Sequence, residues 1–101
     1  MKFIVFWEYS VEDMYEVIAK LMKWTEVLKK EPEKHVKYVF PPHQLSIVNE
    51  KGTAKGITIF EADNEENLIE YVMNHLPEIK VRIVPLMEVA KGMERYMKVK
   101  K

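Results

Sequence analysis

Two segments of the chain are apolar at almost every position, so both alternating sets of side chains are hydrophobic. These segments are Lys2–Glu8 and Ile57–Ala62. In the first, the two apolar sets are Phe3, Val5 and Trp7 against Ile4 and Phe6. β-branched and aromatic residues favour strands, and a strand that is apolar on both faces is typical of the centre of a sheet. We therefore predict two central strands in a sheet that is covered on both sides.

Two other segments repeat apolar residues every three or four positions, which is the spacing of one helix face. The first set is Val11, Met14, Val17, Ile18, Leu21, Met22, Thr25 and Leu28, with Trp24 expected at its edge. The second set is Leu68, Ile69, Val72, Met73 and Leu76. Ser10 supplies an N-cap for the first helix, and Asp63 with Glu66 forms a capping box for the second. A proline follows each helix and ends it.

The remaining elements are predicted from extended patterns, turn residues and one further amphipathic stretch. The second strand comprises Val36–Phe40 and Leu45–Val48, with two prolines between them. A turn covers Asn49–Gly56, and the last strand covers Val81–Met87. A short terminal helix is predicted over residues 88–98, which Gly92 weakens by roughly 1 kcal/mol relative to alanine.

These elements follow each other in the order βαββαβ. Right-handed crossovers leave few topologies for that order, and the commonest is an antiparallel sheet with spatial order 4-1-3-2 and both helices on one face. Proline cannot donate to a strand ladder and is largely confined to edges, bulges and strand ends. Pro41, Pro42 and Pro85 fall on the second and fourth strands, which are the edges in that order. The sequence therefore predicts an α+β, ferredoxin-like fold that forms one domain over residues 1–101.

The sheet face opposite the helices should be polar if the protein were a monomer. Instead, the first strand places either Ile4 and Phe6 or Phe3, Val5 and Trp7 on that open face. Exposed apolar patches of this kind usually mark an interface. We predict a homodimer in which two open sheet faces pack together, which is the dimeric α/β-barrel arrangement. The alternative is that the terminal segment folds back over the open face.

Charge and composition argue against several classes of function. The 101 residues include 16 Lys and Arg and 16 Asp and Glu, without a long block of either sign, so neither nucleic acid nor a membrane is an expected partner. Cysteine is absent, which removes disulfides, thiolate nucleophiles and cysteine-ligated metals. The apolar start is too short for a signal peptide or a membrane span, which predicts a cytoplasmic protein. Charged residues make up 32% and are mostly Glu and Lys, which favours a thermophilic source.

Two segments carry a likeness to known proteins: Gly-Ile-Thr-Ile-Phe-Glu-Ala-Asp from Gly56 to Asp63 and Ile-Val-Pro-Leu-Met from Ile83 to Met87. Through them the whole chain resembles a family of small prokaryotic domains of unknown function in the dimeric α/β-barrel superfamily. The resemblance implies the ferredoxin-like fold and a dimer. It supplies no reaction, no cofactor and no catalytic residue.

Four residues are candidates for a ligand site, and they are Trp7, Tyr38, His43 and Glu61. His43 follows two prolines beside aromatic residues and is the one candidate for acid–base catalysis, since histidine titrates near neutral pH. An exposed loop imidazole is the alternative interpretation. A small apolar cleft between sheet and helices could be lined by the polar-tipped aromatic residues Trp7, Tyr9, Tyr38 and Trp24, although core packing is their commoner use. Glu61 qualifies if the strand register turns it inward with Ile57 and Ile59.

The other titratable residues form no catalytic or metal-binding pattern. Glu8 and Glu61 end neighbouring antiparallel strands and should lie at opposite ends, so no carboxylate pair is expected. His35 and His75 match no metal-binding spacing, so no metal is expected. His75 lies in the last turn of the second helix, where a charged imidazole would interact favourably with the helix dipole. No cofactor-binding motif is present in the sequence, and no cofactor is expected.

The sequence leaves three hypotheses for the function. The first is a dimeric module without catalytic activity that binds a small apolar ligand or a protein partner. The second is a cofactor-free monooxygenase or isomerase of the dimeric α/β-barrel type. An RNA-binding domain ranks last because positive and negative charges balance and no strand combines aromatic and basic residues in the required way. A cavity that reaches His43 and the aromatic residues would favour a ligand-binding or enzymatic function.

Overall fold

The structure, a computed structural model, describes residues 1–45 and 52–100. It contains four strands, which are β1 (Lys2–Ser10), β2 (Lys37–Gln44), β3 (Thr53–Glu61) and β4 (Ile79–Pro85). It also contains three α-helices, which are α1 (Met14–Lys30), α2 (Glu65–His75) and α3 (Val89–Lys100). Short 3-10 turns precede and follow α1, at Val11–Asp13 and Pro32–Lys34. The order of elements agrees with the predicted βαββαβ arrangement, with a third helix at the end.

The four strands form one antiparallel sheet in the order β2-β3-β1-β4. This is the predicted order, and it places the two strands that are apolar on both faces at the centre. Pro41 and Pro42 lie on the edge strand β2, and Pro85 ends the other edge strand, β4. The ferredoxin-like fold is therefore confirmed, together with the argument from proline placement.

The second strand and the turn that follows differ from the prediction. β2 continues through both prolines to Gln44, because register shifts between Tyr38 and Phe40 and between Phe40 and His43 absorb the missing ladder donors. β3 begins at Thr53, four residues before the predicted start. Gly56 thus lies inside a strand instead of a turn, whereas Gly52 has a φ of 71°. Most of the predicted strand segment Leu45–Val48 and the first part of the predicted turn Asn49–Gly56 fall in residues 46–51, which lie outside the described part of the chain.

The core fills the space between the sheet and the two helices α1 and α2. Its buried side chains are Phe3, Val5, Trp24, Val36, Phe60, Ala62 and Tyr71. Trp24, predicted at the edge of the first helical stripe, is instead only 2% exposed. Its indole Nε1 donates to the hydroxyl of Tyr38 at 2.9 Å. A polar-tipped aromatic side chain can occupy the core when its polar atom finds such a partner.

Both helices are rotated relative to the predicted stripes. In α1, Val17 and Trp24 are buried while Ile18 and Met22 are exposed. In α2, the buried residues are Asn67, Tyr71 and His75, whereas Ile69 and Met73 are exposed. The prediction failed because it counted polar-tipped residues as surface residues. The cap of α2 also differs, since the side chain of Asn64, not Asp63, accepts a hydrogen bond from the backbone of Asn67 at 2.9 Å.

The open face of the sheet, on the side away from α1 and α2, carries an apolar patch. The patch consists of Ile4, Phe6, Phe40, Ile57, Ile59 and Val84, all of them partly or largely exposed. Charged residues border it, namely Lys37, Glu61, Glu8, Lys55, Lys80 and Arg82. The guanidinium of Arg82 lies over the ring of Phe6 at 4.7 Å from its centroid. The face is therefore apolar at its centre, as predicted.

Helix α3 does not cover the open face, which rules out the alternative in which the terminal segment folds back. Its apolar side chains at Val89, Met93 and Met97 are 57–74% exposed.

The protein measures 56 × 36 × 19 Å with a radius of gyration of 16.2 Å, larger than the roughly 13 Å of a compact chain of about 100 residues. Within residues 1–45 and 52–100, no helix combines the length and the apolar character needed to cross a membrane.

Candidate functional site

A cleft of about 220 Å³ opens between the sheet and the two packed helices, and we call it the helix-side cleft. Strands β1 and β3 supply one wall, helices α1 and α2 supply the other, and the end of β2 reaches the mouth. The lining residues on which its chemistry depends are Trp7, Tyr9, Gln44, Thr58, Tyr71 and His75. The cleft thus combines an apolar surface with a few polar atoms, as is usual for small-molecule sites.

The sheet wall is an aromatic platform made by Trp7 and Tyr9. Their rings stack with centroids 6.1 Å apart and an interplanar angle of 14°. Trp7 is paired with Gly56 across the sheet, and a Cβ at that position would collide with the indole ring. Only glycine leaves room there, so the indole can lie flat across the backbone of β3. The Nε1 atom of Trp7 donates to the hydroxyl of Thr58 at 3.1 Å, which fixes the ring in place.

The helix wall is formed by Tyr71 and His75, which are one turn apart on α2. Their rings lie 4.0 Å apart. The hydroxyl of Thr58 lies within hydrogen-bonding reach of that of Tyr71, and burial raises the pKa of Tyr71 above its ordinary value of 10.0. Because Thr58 also accepts from Trp7, one fully buried hydroxyl connects the two walls.

His75 is 4% exposed, and its ring is held in a defined orientation. Its Nδ1 lies 2.6 Å from the carbonyl oxygen of Tyr71. A carbonyl only accepts, so Nδ1 carries the proton and Nε2 is the acceptor of the neutral ring. Burial lowers the pKa of His75, and the nearby ammonium of Lys20 lowers it further. At neutral pH the cleft therefore contains an uncharged imidazole with its acceptor nitrogen defined.

An ion pair holds the connection between α2 and β4 beside the cleft. The ammonium of Lys20 contacts the carboxylate of Glu78 and also donates to the carbonyl oxygen of Leu76. The hydrogen bond from Lys20 lowers the pKa of Glu78. These contacts join α1 to the chain that leaves α2, directly after His75. The contacts of Lys20 hold the chain directly after His75, and the hydrogen bond from Nδ1 to the carbonyl of Tyr71 orients the ring.

The four predicted ligand residues lie on opposite sides of the sheet. Trp7 lines the helix-side cleft. Tyr38 faces the same side but is engaged with Trp24 in the core, where burial raises its pKa. His43 and Glu61 are on the open face, so the register does turn Glu61 to the side of Ile57 and Ile59. The structure therefore brings only one of the four to the cleft.

His43 belongs to an exposed stack on the edge strand. Its ring lies 4.1 Å from that of Phe40, and its Nδ1 is 2.5 Å from the carbonyl oxygen of Pro41. Side chains alternate along a strand, so the neighbours Pro42 and Gln44 line the cleft while His43 points away from it. The prediction of a loop position for His43 was wrong, since it lies within β2.

The carboxylates at the ends of the central strands lie where the antiparallel register was expected to place them. Glu61 is opposite Lys2 at one end of β1, whereas Glu8 is opposite Lys55 near the other end. The two carboxylates are thus separated by the length of the sheet. Among the residues that the structure describes, no group of three or more His, Cys, Asp or Glu side chains could hold a metal ion.

Sequence reasoning missed Thr58, Tyr71 and His75 as cleft residues. The available signal was the spacing of four between Asn67, Tyr71 and His75, which places them on one helical face. His75 was expected to be a charged group at the helix terminus. Its burial favours the neutral ring instead, so the dipole argument does not describe its role.

Comparison with known proteins gives a family and no function. Neither the curated proteins nor the solved structures include a match to this chain. One family matches over residues 1–100, and it is described as a domain of unknown function, DUF3303. That span contains both walls of the helix-side cleft, the open face and α3. The chain belongs to this family of domains of unknown function.

Proposed function

We propose that this protein binds a small, flat, largely apolar ligand that carries one hydrogen-bond donor, and that it does so in the helix-side cleft. The observation that carries the proposal is the neutral His75 beside the stacked rings of Trp7 and Tyr9. An aromatic platform provides contact area for a flat molecule, and a buried acceptor favours a ligand that donates to it.

The size of the cleft restricts the ligand. Sites for drug-sized molecules are typically about 300–1,000 Å³, and this cleft of about 220 Å³ is smaller. A molecule of one or two rings fits this volume. Among the described residues that line the cleft there is no Asp, Glu, Lys or Arg, which favours an uncharged ligand.

The enzymatic alternative loses the residue on which it was based, while the binding proposal needs only a hydrogen-bond acceptor in the cleft. A monooxygenase or isomerase was considered because His43 was expected beside a cluster of aromatic residues. The structure separates His43 from the cleft and places it on the open face. His75 has the position that His43 was expected to have, and its acceptor nitrogen suffices to select a ligand.

The binding proposal is tested by titrating the protein with 2-naphthol, a two-ring phenol, and with naphthalene as the matched ligand without a donor. We expect 2-naphthol to bind at least 10-fold more tightly, because only its hydroxyl can donate to Nε2 of His75. Calorimetry measures the affinities. Two-dimensional NMR should show a larger shift for the indole N–H of Trp7, which lines the cleft, than for that of Trp24, which lies behind the helix wall and donates to Tyr38.

A pair of histidine variants gives the control. His75→Phe removes the acceptor nitrogen and should reduce the preference for 2-naphthol, whereas His43→Phe, the same change on the open face, should leave it unaltered. Thermal unfolding of both variants shows whether each one is folded. Equal affinity for the two ligands in the parent protein, or a shift of Trp24 in place of Trp7, would contradict the proposed site.

The open face supports a second part of the proposal, a homodimer of the dimeric α/β-barrel type. Six apolar side chains form the centre of that face, and charges of both signs border it. Apolar patches rimmed by polar residues often mark interaction sites. A two-fold axis through the patch would bury it against its own copy and let charges of opposite sign meet across the border.

A further inference from the structure

Helix α3 is amphipathic and extends from the rest of the protein. Val89, Met93 and Met97 follow one another at four-residue intervals and form its apolar side, and all three are more than half exposed. The opposite side is charged and consists of Lys91, Glu94, Arg95 and Lys98. Such a helix normally packs its apolar side against another surface.

An isolated helix of this length is not expected to be stable in water. α3 has 12 residues, and helices shorter than about 12–15 residues are marginal on their own. Gly92 lowers its stability further, by roughly 1 kcal/mol relative to alanine. Within the described residues, α3 makes no extensive contact with a strand or with another helix. Its formation therefore calls for a surface outside its own chain.

We propose that the apolar side of α3 packs against a second copy of this chain and clamps the dimer that forms through the open sheet faces. This inference rests on the proposed dimer. Each copy donates its α3 and receives the α3 of its partner, so the contact closes with two-fold symmetry. The apolar face of the helix then becomes part of the same interface as the open face.

The position of α3 in the chain makes this contact reachable. α3 begins three residues after β4, which is an edge strand of the sheet. The backbone N–H of Leu86 still donates to the carbonyl of Lys2 at 2.8 Å, so the chain stays at the sheet until that residue. Facing sheets pack about 10 Å apart, and a helix of 12 residues is about 18 Å long. The helix can therefore cross from one sheet edge to the partner.

The area of the open face also indicates that a further contact is needed. The area follows from four strands about 4.8 Å apart and from the seven residues of the shortest strand, β4, at a rise of about 3.3 Å each. The four-stranded face then covers roughly 450 Å². A stable interface typically buries about 800 Å² on each partner. Docking of α3 on the partner would contribute part of the difference. The strand faces and the helix are then two portions of one interface.

Hydrogen exchange measured by mass spectrometry tests the proposal directly. The full-length protein is labelled at a series of concentrations, and sedimentation equilibrium gives the fraction of dimer at each. Backbone amides of residues 89–100 should exchange slowly in the dimer and become at least 10-fold faster on dilution to monomer. A helix that is supported by its partner has to lose protection together with dimerisation.

Two variants with the same change in charge make the test specific. Met93→Lys alters the apolar side of α3, and Glu94→Gln alters the charged side; each raises the net charge by one. We expect Met93→Lys to weaken the dimer at least 10-fold and Glu94→Gln to change its dissociation constant less than twofold. Met93 is largely exposed in the single chain, so the fold itself should tolerate the lysine.

The outcomes separate this inference from the dimer on which it rests. A dimer of unchanged affinity with Met93→Lys, or fast exchange of α3 within a dimer, would overturn the role of α3 and leave the open-face contact intact. A monomer at every concentration would overturn both. Protection of α3 only on adding vesicles of anionic phosphatidylglycerol would identify a membrane-binding helix instead and also contradict the proposal.

Discussion

Thr58 is the residue that connects the two walls of the helix-side cleft. Thr58 is fully buried, and its hydroxyl accepts a hydrogen bond from the indole of Trp7. The same hydroxyl lies within hydrogen-bonding reach of the hydroxyl of Tyr71. Buried hydroxyls destabilise a protein when they lack partners, so this network stabilises only in its complete form. The geometry of the cleft therefore depends on a side chain that offers little direct contact area to a ligand.

The buried imidazole of His75 predicts how stability depends on pH. Burial lowers its pKa in the folded protein below the ordinary value of 6.5, so the unfolded chain binds more protons once the pH falls through 6.5. The free energy of unfolding should consequently decrease between pH 7.5 and pH 5.5. Urea unfolding at several pH values measures this, and His75→Gln should show a smaller decrease.

His43→Gln is the control for this prediction, because His43 is exposed. It should retain the decrease seen in the parent protein. The carboxylates of Glu31 and Glu78 have lowered pKa values, so their contribution is lost only when the pH falls below about 4.5. An equal pH dependence in the parent protein and in His75→Gln would show that the imidazole is not desolvated.

Only part of the cleft could be predicted from residue types. Trp7 was identified because a polar-tipped aromatic residue on a central strand suits a cleft wall. Tyr71 and His75 were missed because sequence patterns place such residues on the surface, whereas here Thr58 and a backbone carbonyl satisfy their polar atoms. The contact between Tyr71 and Thr58 joins distant segments, which no local pattern contains.

At the scale of secondary structure, the apolar patterns predicted which elements form more reliably than which way the helices face. The strand order followed from proline positions and from strands that are apolar on both sides, both of which act through backbone hydrogen bonding and burial. The rotation of α2 depended on the tips of Asn67, Tyr71 and His75, which are buried although they are polar. Ile69 and Met73 were consequently placed in the core by prediction and are exposed at 61% and 68%.

The N-terminus of α2 gives a prediction that distinguishes two adjacent residues. Asn64 caps the helix by accepting from the backbone N–H of Asn67, whereas the sequence pattern favoured Asp63. Asn64→Ala should destabilise the protein by about 1 kcal/mol, as is typical for loss of a cap. Urea unfolding measures the change. Asp63→Ala is the control and should cost less than about 0.5 kcal/mol, as do most surface substitutions.

The reverse result, with the larger loss for Asp63→Ala, would mean that the capping box predicted from the sequence forms in solution. The two variants differ by one position and each removes a short polar side chain. Their comparison therefore reports the cap itself and is little affected by general effects of helix propensity.

At the scale of the whole molecule, the described residues include two apolar surfaces that the proposed dimer would bury. One is the patch at the centre of the open face, and the other is the side of α3 formed by Val89, Met93 and Met97. A chain of this size buries only about 60–70% of the surface that its unfolded form exposes, so further burial through association contributes substantially to stability. The proposed dimer, with α3 packed on the partner, would remove both surfaces from water.

The open-face contact predicts the effect of a charge at its centre. If the proposed dimer forms, Phe6→Lys should convert it to a monomer at micromolar concentration, because pairing two copies would bury two unpaired ammonium groups. Sedimentation equilibrium measures the association. Met22→Lys is the control, since it introduces the same side chain at an exposed position on α1, and it should leave the dimer intact.

A monomeric parent protein, or a Phe6→Lys variant that dimerises as well as the parent, would contradict this contact. Circular dichroism of the variant shows whether the fold is retained. Phe6 is only partly buried and lies under Arg82, so the fold should tolerate the change.

Strands β1 and β3 present cleft residues on one side and interface residues on the other. Trp7 and Thr58 face the cleft, while their neighbours Phe6, Ile57 and Ile59 face the proposed partner. A displacement of either strand would alter both the helix-side cleft and the proposed interface, because a packed sheet transmits displacement. Ligand affinity and subunit association would then be reciprocally linked, and the measured affinity for a ligand would change with the concentration of the protein itself.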